Sequence, residues 1–172
     1  MIDSRTVCEF CVSAVVAGVL ASAAPALAKD YRHNGSECEL TYASDVSSQI
    51  LQGGEVANDS TTDAMELTCP VHSSDYLRQQ SINTANVHGY SGQAQSQDTT
   101  KWALAQACVK FYGSFGGNCG TLVAKNGSGF FTLQPGLTAW KTYTADFAYY
   151  TVRLPSKVGG TRSALYGVWL SE

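Results

Sequence analysis

The segment Phe147–Leu154 has the sequence FAYYTVRL and is followed directly by Pro155. Its residues alternate between two faces, one of which is formed by Ala148, Tyr150, Val152 and Leu154. A period of two residues is that of a β-strand, because successive side chains of a strand point to opposite sides of the sheet. Proline has no backbone N–H to donate to a neighbouring strand, so Pro155 ends the segment. The segment therefore predicts a half-buried strand.

Two further segments repeat this alternation. MELTCPV at residues 65–71 places Met65, Leu67, Cys69 and Val71 on one face. RSALYGVWL at residues 162–170 places Ala164, Tyr166, Val168 and Leu170 on one face and Ser163, Leu165, Gly167 and Trp169 on the other. Because both faces of the second segment are largely apolar, it suits a central strand.

Turn residues separate these strands. Asn126-Gly127, between TLVAK and FFTLQ, is typical of a β-hairpin turn. DVSSQILQ at residues 45–52 predicts a short helix with Asp45 as its N-cap. KWALAQAC at residues 101–108 suits a helix by composition, but we interpret it as a strand because it continues into the alternating CVKFY.

Many short strands with Gly-rich turns, and no sustained helical periodicity, predict an all-β fold. We expect a single antiparallel β-sandwich of Greek-key or jelly-roll type with about 7–8 strands, because such strands must pack sheet on sheet. We place this domain at residues 38–172, after a short extension at residues 29–37.

Residues 1–28 have the pattern of a secretory signal peptide. An uncharged apolar run from Phe10 to Ala24 precedes Ala26-Leu27-Ala28, a small-x-small site that predicts cleavage after Ala28. An uncleaved membrane anchor is the alternative, since Asp3 and Glu9 outnumber Arg5 before the run. We expect a secreted, extracellular or periplasmic protein with no membrane partner after cleavage.

The cysteine count agrees with export. The chain has 6 cysteines, and Cys8 and Cys11 leave with the signal peptide. An even number of cysteines in an oxidising compartment predicts disulfides. Of the three connectivities open to the remaining four, we favour Cys38 with Cys69 and Cys108 with Cys119, because CVKFYGSFGGNC at residues 108–119 resembles two strands joined by a turn.

The charge balance argues against nucleic acid as a partner. Lys and Arg number 11 against 14 Asp and Glu, a net charge of -3, whereas phosphate binding takes a surplus of basic residues. A low charged fraction of 15% is typical of extracellular β-proteins.

Three short motifs resemble those of small, uncharacterised exported single-domain β-sandwich proteins of bacteria. They are an early cysteine at Cys38, Thr68-Cys69-Pro70, and the terminal strand Tyr149-Tyr150-Thr151-Val152-Arg153-Leu154-Pro155. The resemblance implies the fold and export, and it brings no activity with it.

Aromatic residues concentrate from Trp102 onward. Exposed Trp and Tyr rings offer flat apolar area with a polar edge, on which sugar rings stack. We therefore consider Trp140, Tyr143, Tyr149 and Trp169 as ligand-binding residues, with core packing as the alternative for each. The leading function is an extracellular binding module for glycan or another surface ligand.

Other chemistry has weaker signals. Asp59 and Asp63 lie in NDSTTD, an oxygen-rich loop that is compatible with calcium and equally with a polar turn. No other cofactor and no catalytic residue is predicted. A small secreted hydrolase would need acids such as Glu37, Glu39, Glu55 and Glu66 to meet in the fold. The main alternative function is a structural or assembly subunit of an extracellular matrix, coat or filament. Such a subunit would add to its neighbour through an exposed strand edge or through an apolar terminal strand such as Leu165 to Leu170.

Overall fold

A computed structural model describes residues 29–42, 49–72 and 77–172 of the chain. These residues form twelve strands and one α-helix. The strands are β1 (Asp30–Asn34), β2 (Glu39–Leu40), β3 (Gln49–Gln52), β4 (Glu55–Asn58), β5 (Met65–Pro70), β6 (Thr84–Ser91), β7 (Ala103–Lys110), β8 (Gly117–Cys119), β9 (Val123–Lys125), β10 (Gly129–Leu133), β11 (Phe147–Leu154) and β12 (Ser163–Ser171). The helix α1 spans Thr138–Thr142, and short 3-10 turns lie at Gly35–Glu37, Gln79–Ser81 and Thr99–Lys101.

The strands form two antiparallel sheets that pack as a sandwich. The first sheet has the order β10-β6-β12-β4-β3, and β1 pairs with β12 beside β4. The second has the order β2-β5-β11-β7-β8, and β9 pairs with β7 beside β8. The all-β sandwich is confirmed. The number of strands exceeds the expected number because several edge strands have only two to four residues, too short for a period to be recognised in sequence.

The core lies between the sheets, where alternate residues of the central strands meet. Ala148, Tyr150, Val152 and Leu154 of β11 are all buried, as FAYYTVRL predicts. In β5, Met65, Leu67 and Cys69 are buried on the same side. Full burial of a large apolar side chain stabilises the fold by about 1.5–3 kcal/mol. These two strands therefore fix which side of the second sheet faces inward.

Strand β12 departs from simple alternation. It is central, as predicted, because β6 covers one edge while β4 and β1 cover the other. Its register against β6 shifts between Leu165 and Gly167, which leaves Tyr166 as the extra residue of a β-bulge. Leu165, Val168 and Leu170 consequently face the core, and the predicted pairing of Tyr166 with Val168 and Leu170 is wrong.

The prediction of a β-hairpin at Asn126-Gly127 is also wrong. Strand β9 belongs to the second sheet and β10 to the first, so the turn is a crossover between sheets. The side chain of Asn126 explains the local geometry, since its amide accepts a hydrogen bond from Ser96 N and donates one to Ser96 O, both at 2.9 Å. Gly127 and Gly129 both adopt positive φ there.

The two ambiguous segments are both extended where they are described. Strand β7 covers most of residues 101–108, which confirms the strand interpretation. Its approach is a 3-10 turn capped by Asp98, whose carboxylate accepts a hydrogen bond from Thr100 N. The helix expected over residues 45–52 is wrong at Gln49–Gln52, which is β3. Residues 45–48 lie outside the described part of the chain.

Both disulfides are confirmed. Cys38–Cys69 lies in the core, whereas Cys108–Cys119 joins β7 to β8 on the outer surface of the second sheet. The expected signal peptide lies in residues 1–28, outside the described residues. In the described ranges, no helix has the length and apolarity needed to cross a membrane.

Candidate functional site

The outer face of the first sheet carries aromatic side chains on three neighbouring strands. We call the side chains that β1, β12, β6 and β10 present away from the core the β12 face. The pairing register arranges them in three rows across these strands. The first row is Arg32, Trp169, Asn86 and Gln134, the second is Asn34, Gly167, His88 and Thr132, and the third is Tyr166, Tyr90 and Phe130.

In the first row, Trp169 presents a fixed ring to solvent. The guanidinium carbon of Arg32 lies 4.9 Å from the centre of the Trp169 ring, which is a cation–π contact. Beside it, Gln134 Nε2 donates a hydrogen bond to Asn86 Oδ1 at 2.7 Å. The row therefore combines one flat apolar surface with several polar groups.

The third row is an aromatic cluster produced by the bulge. Because Tyr166 is the extra residue of β12, its ring points outward and its centre lies 6.2 Å from that of Phe130. The Phe130 ring in turn meets Tyr90 edge-to-face at 5.2 Å. Phe130 is 75% exposed, which is unusual for a large apolar side chain.

The second row forms the floor of a groove between these aromatic rows. The groove has a volume of about 350 Å³ and is lined by Arg32, Asn34, His88, Tyr166, Gly167 and Trp169, with His33 and Val168 beneath. Rows two residues apart along a strand are separated by about 7 Å. Gly167 allows β1 to approach closely at the floor, since a Cβ there would lie 2.2 Å from the carbonyl oxygen of His33.

His88 is the titratable group of the floor. Its Nδ1 lies 3.1 Å from the hydroxyl oxygen of Thr132. Partial burial, together with the positive charge of Arg32, lowers the pKa of His88 below its ordinary value of 6.5. The imidazole is therefore neutral at pH 7, with one nitrogen that donates and one that accepts.

The predicted ligand-binding residues separate into three places. Trp169 lies in the β12 face and Tyr149 on the outer face of the second sheet, described below. Tyr143 packs its ring 5.0 Å from Phe111, and its hydroxyl accepts a hydrogen bond from Asn118 Nδ2. These three positions remain predictions as binding residues.

Trp140 is a core residue rather than a surface ring. It is 0% exposed, its indole N–H donates to Cys108 O at 2.8 Å, and its ring lies 5.6 Å from that of Tyr150. The helix α1 places it there, and Gln79 Nε2 holds the helix by donating to the carbonyl oxygens of Trp140 and Tyr143. A ligand has no access to this ring.

The loop suggested for calcium is held by its own contacts. The Asp59 carboxylate forms ion pairs with Lys157 at 2.8 Å and Arg162 at 2.6 Å, and hydrogen bonds from both lower its pKa. Asp63 accepts a hydrogen bond from the Thr62 hydroxyl at 2.6 Å. In the parts of the chain that are described, no three His, Cys, Asp or Glu side chains are grouped as metal ligands.

The acids considered for hydrolysis include two, Glu37 and Glu66, that are each bound to a basic or imidazole partner. Glu37 accepts a hydrogen bond from His33 at 2.8 Å, and this bond is the largest cause that lowers the pKa of Glu37. Glu66 pairs with Arg153 at 3.2 Å on the second sheet.

The strand edge suggested for assembly is covered, because β12 is paired along both edges and both Leu165 and Leu170 are buried.

Comparisons with known proteins assign no family. No family model and no curated protein matches the chain. Among solved structures, the chain is similar to TmCBM61 in complex with β-1,4-galactotriose, with a TM-score of 0.36 and 14% identity. The match covers 84% of this chain and 88% of that one.

Sequence reasoning missed most of the β12 face. Tyr90 and Phe130 lie far apart in the chain, and only the pairing of β6 with β10 brings them together. The alternation places Tyr166 on the same face as Val168 and Leu170, because the bulge is not visible in it. The sequence signal for the bulge is Gly167 directly after Tyr166, since glycine within a strand often marks a bulge.

Proposed function

We propose that the protein is a carbohydrate-binding module and that the β12 face is its binding site. The observation that carries the proposal is the groove lined by Trp169 and Tyr166, with a polar floor between them and the Phe130 and Tyr90 rings next to Tyr166. The apolar face of a sugar ring stacks on an exposed aromatic ring, while its hydroxyl groups need hydrogen-bond partners at the edges. This face offers both in adjacent rows.

Three polar groups are positioned to bind hydroxyl groups of a sugar. Arg32 lies over Trp169, where its guanidinium also pairs with Asp30 at 3.9 Å and supplies N–H donors next to the ring. His88 Nδ1 is already hydrogen-bonded to the Thr132 hydroxyl, so neutral His88 offers its Nε2 from the floor. Asn34, across from Gly167, adds an amide at the opposite edge of the groove. The site accordingly binds a hydroxylated ligand without needing a metal ion.

Action outside the cell is part of the proposal. Two disulfides in a small domain support it, because such bonds persist in oxidising compartments. The assembly alternative loses the terminal strand suggested for it, since β12 is paired along both edges.

Retention on insoluble polysaccharides tests the proposal. The oxidised protein is incubated with β-1,4-linked glucan, galactan, mannan and xylan, with chitin and with polygalacturonate, each with and without a chelator. We expect retention on at least one polymer, loss of retention in Trp169→Ala, and no effect of the chelator, because Asp59 is paired with two basic residues. Leu51→Ala, at an exposed position of β3 away from the groove, is the control. Retention of the wild type on none of these polymers would refute the proposal. Loss of retention in the chelator would show that binding needs a metal ion and would support the calcium site at Asp59 and Asp63.

A further inference from the structure

A second groove lies on the opposite side of the sandwich. We call the outward side chains of β2, β5, β11 and β7 the β11 face. The groove there has a volume of about 590 Å³, larger than that of the β12 face, and Tyr149 and Phe147 form one wall. No residue of this groove belongs to the β12 face, so it is an independent feature of the fold.

The aromatic part of the β11 face is fixed in place. Tyr149 sits between Pro70 on β5 and Cys108 on β7, and the Cys108–Cys119 disulfide lies beyond it. Phe147, two residues along the same strand, is 62% exposed, and its ring centre lies 6.1 Å from that of Tyr112. Three aromatic rings therefore line one end of this face.

A polar row lies next to Tyr149, one step along the strands. The register places Thr68, Thr151 and Gln106 side by side across β5, β11 and β7. Thr68 shares a hydrogen bond of 2.9 Å with Thr41, and Gln106 Nε2 donates to Gly120 O at 2.9 Å. These bonds orient hydroxyl and amide groups directly beside a flat ring.

The polar row links the groove to a smaller one. Thr68 lines the first groove, and its register partner Thr151 lines a second depression of about 240 Å³ together with Gln106 and Arg153. The two depressions follow one another along β11. Such an elongated path suits several consecutive units of a polymer better than one small molecule.

The charges of this face select a neutral ligand. Lys110 and Glu39 line the same groove with opposite charges. Farther along, Arg153 is paired with Glu66 at 3.2 Å. A polyanion would gain little from a surface on which each basic group has an acidic one in the same depression. A neutral polymer with many hydroxyl groups matches both the balanced charge and the Thr–Thr–Gln row.

We propose that the β11 face is a second carbohydrate-binding site and that the protein joins two polysaccharide chains. This inference rests on the proposed function of the β12 face. The two faces point in opposite directions from sheets packed about 10 Å apart, so one straight polymer segment cannot lie on both. Binding through two sites also raises the overall affinity for an insoluble polymer without any new contact.

Titration calorimetry tests this inference on the full-length, disulfide-bonded protein. The probes are six-unit oligosaccharides of those neutral polymers named above that retain the protein. We expect two oligosaccharides to bind each wild-type protein, and one to bind each Trp169→Ala/Tyr166→Ala variant or each Tyr149→Ala/Phe147→Ala variant. The affinity of the altered face is expected to fall about tenfold or more.

Controls separate loss of a site from loss of the fold. Leu51→Ala should bind two oligosaccharides, and each variant should retain the near-ultraviolet circular dichroism of the wild type. Should the double variant at Tyr149 misfold, Phe147→Ala alone serves, because its ring is mostly exposed and contributes little packing.

The possible outcomes distinguish the two claims. One bound oligosaccharide, abolished only by the Trp169 variant, would overturn the second site and leave the proposed function intact. One bound oligosaccharide, abolished only by the Tyr149 variant, would instead refute the β12 face as a site. A dimer in sedimentation experiments without sugar that dissociates in Phe147→Ala would show that the β11 face binds a second copy, and would also overturn this inference.

Discussion

β11 and β12 are the central strands of the two sheets, and they differ in regularity because β12 contains one extra residue. In β11, alternation is unbroken from Phe147 to Leu154, and the buried side chains are the ones that the sequence predicts. In β12, the bulge at Tyr166 interrupts the alternation, so Trp169 and Tyr166 both point outward although they are three residues apart. A single inserted residue therefore converts an otherwise regular strand into one that presents two aromatic rings.

The comparison shows how a sandwich can gain a binding face without losing its core. Leu165 lies before the bulge and Val168 and Leu170 after it, and all three remain buried. Bulges commonly re-aim side chains next to functional sites. The regular strand β11 reaches the same end differently, with Phe147 and Tyr149 on its outward positions.

The largest expected effect distinguishes Trp140 from Trp169. Trp140→Ala removes a fully buried ring and its hydrogen bond to Cys108 O, so we expect the free energy of unfolding to fall by about 3–5 kcal/mol. Trp169→Ala removes a partly exposed ring and should lower it by less than about 1 kcal/mol while abolishing binding. Urea denaturation measures both. Equal losses of stability would contradict the separation of core from binding face.

The disulfides allow a second comparison within the second sheet. Cys38–Cys69 spans 31 residues and Cys108–Cys119 spans 11. The chain-entropy relation gives contributions of about 4 and about 3 kcal/mol to the free energy of unfolding. Replacing each pair by alanine should therefore destabilise the protein in that order, as measured by urea denaturation. A reversed order would show that the outer-surface bond does more than restrict the unfolded chain.

Gly167→Ala tests the close approach of β1 to β12 beside the bulge. The added Cβ would meet the carbonyl oxygen of His33 at 2.2 Å, so β1 has to move away from β12. We expect a loss of about 1–3 kcal/mol in the free energy of unfolding, together with weaker binding. Thr151→Ala, at a regular outward position of β11, is the control and should change stability by about 0.5 kcal/mol or less. Urea denaturation measures the free energy of unfolding of both variants. Equal values for the two variants would contradict the close approach of β1.

The smallest effect concerns the pKa of His88. Its pKa in the folded protein is lowered, first by burial and then by Arg32. The unfolded chain therefore takes up this proton more readily, and stability decreases as the pH falls below 6.5 toward the folded pKa. Arg32→Gln removes only the second cause, so the pKa should rise part of the way. An NMR titration of the His88 ring measures it, and a further decrease would contradict the placement of Arg32.

Regular features of the fold were predictable from sequence, and long-range ones were not. Strand β11 and the Cys108–Cys119 hairpin depend on nearby residues, whose spacing determines the outcome. The prediction of a hairpin at Asn126-Gly127 is wrong because Asn126 instead forms two hydrogen bonds with Ser96, 30 residues away. Trp140 and Trp169 could not be told apart by residue type, since α1 buries one and the bulged strand exposes the other.

One measurement tests the central claim most directly. The chain has 3 tryptophans, and each indole N–H gives its own NMR signal. Trp140 and Trp102 donate to Cys108 O and Ser96 O, whereas Trp169 lies in the proposed groove. During titration with the six-unit oligosaccharides, the account predicts that the Trp169 signal shifts and that the other two stay in place. An unchanged Trp169 signal in the presence of a sugar that binds would contradict it.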